Sequence, residues 1–212
     1  MNNIKVGIIG LGVGFKHLSN LIKNKKVKEI YVYDKNKQKS HLAKKLFKKI
    51  QICKNENELF KNKNINLMCI CSYDNYHFMH VKKSILHKKD IFIEKPLCLK
   101  KKELEVIKKL TKKYNVNISS NFVLRENSFF KALKEKIKKG FFGKIYLMEA
   151  NYNYGRLEKI TSGWRGKIKN YSTTHGGAVH LVDLVQFLTG KKFFKVASEG
   201  NNISTKNKGF KF

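Results

Sequence analysis

Short apolar runs alternate with longer, lysine-rich stretches from residue 4 to about residue 120. Ile4 to Ile9 reads as a strand and Gly14 to Asn24 as a helix; Glu29 to Tyr33 and Lys37 to Lys48 repeat the pair. Gln51 to Cys53 predicts a short strand, with a short helix near Glu56 to Phe60. Asn66 to Cys71, then Tyr76 to His87, predict a fourth strand and helix. Ile91 to Glu94 and Lys101 to Tyr114 predict a fifth pair, and Asn117 to Ser120 a sixth strand. Continuous apolar strands joined by short links to helices indicate an α/β fold with a doubly wound parallel sheet.

The pattern changes after Asn121. Asn127 to Lys139 is amphipathic and helical, with Gly140 as its stop. Gly143 opens a long alternating stretch, Ile145 to Tyr154, which predicts a strand. A loop runs from Gly155 to His175, followed by a helix from about Val179 to Leu188 ended by Gly190, and by a strand at Phe193 to Ser198. Residues 1–120 and 121–212 are therefore expected as two domains. The second is an incomplete α+β domain with an open, largely antiparallel sheet. So few strands leave open edges, and residues beyond about 190 are expected to be loosely held.

A net charge of +31 invites a nucleic-acid reading. It is discounted because only Arg125, Arg156 and Arg165 are arginine, while lysines are spread along the whole chain beside abundant asparagine and isoleucine. That is the signature of A/T-rich coding DNA, not of a basic patch. In such a composition a retained arginine suggests a need for a planar fork that grips phosphate or carboxylate. No apolar run approaches the ~20 residues of a membrane span, and no targeting signal is read, so a cytoplasmic protein is expected. Cys53, Cys69, Cys71 and Cys98 complete no metal-ligand set and read as reduced thiols, so no metal is expected.

Gly10-Leu11-Gly12-Val13-Gly14 follows the first strand and opens the first helix. Glycines there permit a tight turn and let backbone approach a pyrophosphate at a helix N-terminus. The third glycine sits one residue earlier than the usual spacing. Asp34 ends the second strand, 20 residues after Gly14, where an acid binds the adenosine ribose hydroxyls. A carboxylate there repels a 2′-phosphate and favours NAD over NADP, although Lys35 and Lys37 stand ready to receive one. The only proline, Pro96, follows Lys95 at the end of the fifth strand, where ligands bind in open α/β sheets. It aims Lys95 at a ligand, and a cis Lys95–Pro96 bond is expected.

Together with Ser72-Tyr73-Asp74-Asn75-Tyr76-His77 and Glu94-Lys95-Pro96, the glycine turn resembles the Gfo/Idh/MocA family of nicotinamide-dependent sugar oxidoreductases. Asn121 to Arg125, Gly163-Trp164-Arg165-Gly166 and His175 to Asp183 extend the resemblance over nearly the whole chain. It implies a Rossmann domain followed by a substrate domain that also oligomerises. It implies that Lys95 touches substrate and nicotinamide ribose, that His180 is the catalytic histidine, and that Asp183 is its acidic neighbour. Gly10, Gly12, Val13, Gly14, Asp34, Ser72, Asp74, His77, Glu94 and Lys95 are the expected cofactor contacts. Lys95, Arg125, Arg156, Trp164, Arg165, His180 and Asp183 are the expected contacts of a sugar or nucleotide-sugar substrate.

Two departures from the family stand out. The aspartate found four residues before the catalytic histidine in many members is Gly176 here. Members also continue through more strands, so this chain is expected to be a shortened member that keeps cofactor binding, turns sugar over weakly, and does not form the homo-oligomer of a complete chain. Its alternative role is that of a non-catalytic relative that binds nicotinamide nucleotide as a sensor or partner-binding module.

Overall fold

The computed structural model describes residues 3–169, 171–201 and 203. The chain divides into two compact units, Met1–Asn121 and Phe122–Phe212. In the first, β1 (Ile4–Ile9), β2 (Val27–Tyr33), β3 (Ile50–Ile52), β4 (Leu67–Ile70), β5 (Asp90–Ile93) and β6 (Ile118–Ser120) form one sheet in the order β3-β2-β1-β4-β5-β6. Every pairing is parallel. The helices between them are α1 (Gly14–Leu21), α2 (Lys37–Leu46), α3 (Glu56–Lys61), α4 (His77–Leu86) and α5 (Lys101–Tyr114).

Side chains alternate across the sheet with period two, so each strand feeds two cores. Ile8, Val32 and Cys69 enter one core, with Leu18 of α1 and Ala43 of α2. Ile9, Tyr31 and Ile70 enter the other, with Ile85 of α4 and Ile107 of α5. Both faces are covered, which is why the strands read as continuous apolar runs. Short polar side chains cap α2 and α3: Asn36 Oδ1 accepts the Gln38 amide at 3.0 Å, and Asn55 Oδ1 accepts the Glu58 amide at 2.9 Å. The ammonium of Lys89 is buried and donates to the carbonyls of Asn62 and Ile65 at 2.6 and 2.7 Å. Burial lowers its pKa.

The register decides where chemistry collects. Ile9 stands opposite Tyr33 and Ile70, Ile70 opposite Ile93, and Ile93 opposite Ser120. The residues that leave these strands, Gly10, Asp34, Cys71, Glu94 and Asn121, therefore emerge along one edge of the sheet. Strand order reverses between β1 and β4, the position at which such sheets bind ligands.

The second unit contains α6 (Ser128–Lys138), α7 (Leu157–Thr161), α8 (Gly163–Gly166) and α9 (Val179–Thr189). A π-helical turn, Thr174–Ala178, leads into α9, and Gly190 ends that helix in the left-handed region with φ 68°. The helices expected near 127–139 and 179–188 are present.

The sheet expected for this unit is not seen among its described residues. Residues 145–156 and 191–201 carry no strand. The alternation at 145–154 meets the pattern for a strand, but a strand exists only when a neighbour takes its backbone hydrogen bonds. These residues have no ladder partner among the described ones, and Tyr146 is 94% exposed. The segment expected to be a plain loop, 155–175, holds α7 and α8 instead. The tail expected to be loosely held runs on into residues 202 and 204–212, which lie outside the described residues. No helix among the described residues is long and apolar enough to cross a membrane.

Candidate functional site

The three glycines of the first turn do different work. Gly10 has φ 89°, and a Cβ there would stand 2.5 Å from the Cys71 carbonyl oxygen. The turn passes so close to the end of β4 that only glycine fits. A Cβ on Gly14 would lie 3.1 Å from Cys71 Cβ and 3.3 Å from Ile8 Cγ2, so this position lets α1 pack closely on the sheet. That packing accounts for a third glycine one residue early. Gly12 is exposed, and a Cβ there would meet nothing within 4 Å. Beside it Val13, at the N-terminus of α1, is exposed too. The outer surface of the turn is therefore open for a diphosphate to approach backbone at the positive end of α1.

Asp34 is tied into the same turn. Its Oδ2 accepts the Leu11 amide at 2.6 Å and its Oδ1 accepts the Asn36 amide at 2.8 Å. The carboxylate is half-buried at the end of β2, in the register that reaches a ribose bound over β1. Lys35 and Lys37 are exposed beside it.

At the ends of β4 and β5, buried histidines hold two turns together. His77 has no exposed surface. Its Nδ1 lies 2.6 Å from the Pro96 carbonyl oxygen and its Nε2 lies 3.0 Å from that of Ser72. The sequence offers His77 as a wall of the nicotinamide end; in the fold its ring bridges the Ser72 turn and the Lys95–Pro96 turn. Asp74 is buried in the 3-10 turn Asp74–Tyr76 that opens α4. Ser72 Oγ lies 2.8 Å from Nδ1 of His80, whose Nε2 faces Glu56 at 3.4 Å. Burial brings the His80 pKa down to about 4, against the opposing pull of Glu56.

Lys95 is half-buried, and its peptide bond to Pro96 is cis, as expected. Glu94 before it accepts two hydrogen bonds on one oxygen. His17 Nε2 lies 2.7 Å from Oε1, and Asn121 Nδ2 donates to it at 2.7 Å. Burial pushes the Glu94 carboxyl up, but His17, Asn121 and Lys95 together hold it below its usual value. No local motif in the sequence singles out His17 or His80. Each finds its partner through the fold, and His17 is 77 residues from Glu94.

In the second unit, Arg125 and Asp183 find each other. Nε donates to Oδ2 at 2.8 Å and Nη2 donates to Oδ1, a two-bond grip on a nearly buried carboxylate. The Arg125 guanidinium also lies 5.6 Å from the ring centres of both Phe122 and Phe187. His180 lies one helical turn before Asp183 on α9, half-buried, and meets the Phe122 ring edge-on at 6.2 Å.

Arg165 stacks 4.0 Å over the Trp164 ring and donates from Nε to the Tyr171 hydroxyl at 3.2 Å. His175 Nδ1 lies 2.8 Å from Ser172 Oγ. Arg156 is exposed at the start of α7. Where many family members have aspartate, a Cβ on Gly176 would lie 3.3 Å from the Tyr171 ring, and one on Gly177 only 2.5 Å from the Tyr152 ring. A side chain at Gly177 would require the Tyr152 ring to move, whereas one at Gly176 would press on Tyr171 by only a few tenths of an ångström. Lys95 belongs to the first unit and His180 to the second.

Six parallel strands in this order, a glycine turn after the first and an acid after the second define a Rossmann dinucleotide-binding unit. Residues 4–122 match the model of an oxidoreductase family with an NAD-binding Rossmann fold, GFO/IDH/MocA, and residues 130–210 match that family's C-terminal domain. The chain belongs to the GFO/IDH/MocA oxidoreductase family. It is 26% identical over 207 residues to myo-inositol 2-dehydrogenase of Thermotoga maritima, covering 93% of this chain and 58% of that protein. It is 26% identical over 213 residues to glucose-6-phosphate 3-dehydrogenase of Bacillus subtilis, covering 95% of this chain and 59% of that one. Among solved structures, scyllo-inositol dehydrogenase of Lactobacillus casei with bound NAD(H) and scyllo-inositol superposes with a TM-score of 0.77 at 20% identity, over 90% of this chain and 57% of that one. The chain thus spans somewhat more than half the length of the relatives it matches.

Proposed function

We propose that this chain binds NAD in its first unit and takes part in oxidising a secondary hydroxyl of a sugar or polyol. The observation that carries the reading is the open backbone at Gly12, set between the fixed Gly10 and the Asp34 carboxylate. The site fits the cofactor. The amides at the start of α1 suit the pyrophosphate and Asp34 suits the adenosine ribose; Ser72 and Lys95, at the ends of β4 and β5, are the residues we assign to the nicotinamide side. The nicotinamide, when bound, supplies the acceptor for the hydride.

The chain's own task is the proton. Lys95 sits on a stiff turn buttressed by His77 and orients the substrate hydroxyl. His180 serves as acid/base, with Asp183 and Arg125 holding α9 beside it. Trp164 and Arg165 offer a stacked aromatic and a cation to a sugar face, and Arg156 a further cation to an acidic substituent. The inositol and sugar-phosphate dehydrogenases it resembles support a polyol or sugar phosphate; a nucleotide sugar rests on the arginines alone.

A second reading is that the chain binds the nucleotide without turning sugar over. It is favoured by the described residues of the second unit, where 145–156 form no strand and Tyr146 and Phe194 are exposed. One experiment separates the two. NADH absorbance is followed with NAD and a panel of inositols, hexose phosphates and nucleotide sugars. Turnover lost in Lys95→Ala and His180→Ala supports the enzyme. NADH binding without any turnover supports the sensor.

A further inference from the structure

The Glu94 carboxylate is held by one residue from the glycine-turn helix and one from the end of β6. His17 lies on α1, three residues beyond Gly14, with its Nε2 2.7 Å from Glu94 Oε1 and its ring edge-on to Phe92 of β5 at 5.3 Å. Asn121, whose own amide donates to the Ile93 carbonyl at 2.8 Å, gives its side-chain N–H to the same Glu94 oxygen at 2.7 Å. The Glu94 amide donates to the Ile70 carbonyl at 2.9 Å, so its backbone is the last rung of the ladder before Lys95. His17 and Glu94 side chains are 20% and 15% exposed, buried enough for the bond to outlast competition from water. Such a bond is not needed to build the sheet, which is already paired on both sides of β5.

We infer that His17 is a positioning residue, which through the Glu94 carboxylate ties the helix that receives the dinucleotide to the strand end that carries Lys95. Glu94 then acts on the cofactor indirectly, by joining the two walls of its site, and Asn121 fixes the carboxylate from the third side. The inference rests on the dinucleotide site proposed above and adds that its two halves are coupled.

A double-mutant cycle on NADH affinity, read by fluorescence titration of the full chain, tests it. His17→Ala and Glu94→Gln should each weaken NADH roughly tenfold, and the double variant should be no weaker than either alone. His17→Gln, whose side-chain amide nitrogen reaches the place of Nε2, should recover most of the loss. That rescue separates positioning from a folding defect. Single variants that bind NADH as the parent does, or losses that multiply in the double variant, overturn the coupling while leaving the dinucleotide site intact. A parent chain that binds neither NADH nor NADPH overturns the dinucleotide site and the coupling with it.

Discussion

Asp34 Oδ2 stands 2.6 Å from the amide nitrogen of Leu11, so the acid that ends β2 also holds the glycine turn that follows β1. One carboxylate thus shapes the turn and is the group proposed above to bind the ribose. Asp34→Ala should weaken NADH more than tenfold and leave NADPH nearly unchanged, because the charge that disfavours a 2′-phosphate goes with it. It should also cost about 1.5–3 kcal/mol of stability, the usual effect of losing a charged acceptor. Paired titrations and urea unfolding check both. Equal losses for the two nucleotides would leave Asp34 a turn residue only.

Gly10 and Gly12 should respond in opposite ways to the same substitution. Gly10→Ala forces an L side chain into φ 89° and toward the Cys71 carbonyl at 2.5 Å, so it should cost more than about 3 kcal/mol and lower the yield of folded protein. Gly12→Ala meets nothing, so it should melt within a degree or two of the parent yet bind NADH at least tenfold more weakly. Melting curves and NADH titration of both variants decide the matter. A Gly12→Ala chain that binds normally would move the pyrophosphate away from this turn.

Acid should loosen the first unit before its carboxylates protonate. His80 has an ordinary value of 6.5 and is brought down to about 4 by burial, which Glu56 opposes and His77 and Lys83 reinforce. The unfolded chain takes up this proton below pH 6.5, while the folded chain resists until about 4. Stability is therefore fully present above 6.5 and lost as pH falls through that window, by about 3 kcal/mol at most. Glu94, held below its usual 4.5, adds its own loss only at lower pH. Urea midpoints from pH 7 to 4.5 should fall in the parent and flatten in His80→Asn. An unchanged slope in the variant assigns the effect to another group.

The grip of Arg125 on Asp183 should not survive a lysine. Arg125→Lys keeps the charge but loses the fork and the stacking between Phe122 and Phe187, and should destabilise the second unit by about 1–2 kcal/mol, half-exposure of the arginine limiting the loss. Asp183→Asn should cost about the same, and the double variant little more. Additive losses would mean the two act separately.

The first unit was legible because its signals are local. Apolar runs, the glycine turn, the register of Asp34 and the single proline each declare themselves within a few residues, and the parallel sheet follows from their alternation. What stayed hidden depends on distance. His17 looks like one more polar residue on an amphipathic helix until β5 brings Glu94 beside it. Arg125, read as a ligand grip, meets an acid 58 residues away. The stretch 145–154 misled for a related reason, since alternation describes one side of a ladder and says nothing of a partner. Gly176 stands where many members carry an aspartate, and only the fold shows that the Tyr171 ring packs 3.3 Å from where its Cβ would be.

The turn from Gly10 to Gly14 and Asp34 are together the site proposed for NAD. Titrating the parent chain with NADH and NADPH, under one salt concentration chosen to screen its +31 charge, tests it most directly. NADH should bind saturably and more tightly than NADPH, and Gly12→Ala should weaken it. NADPH binding tenfold tighter, a difference of about 1.4 kcal/mol, or no saturable binding of either nucleotide, would contradict the claim.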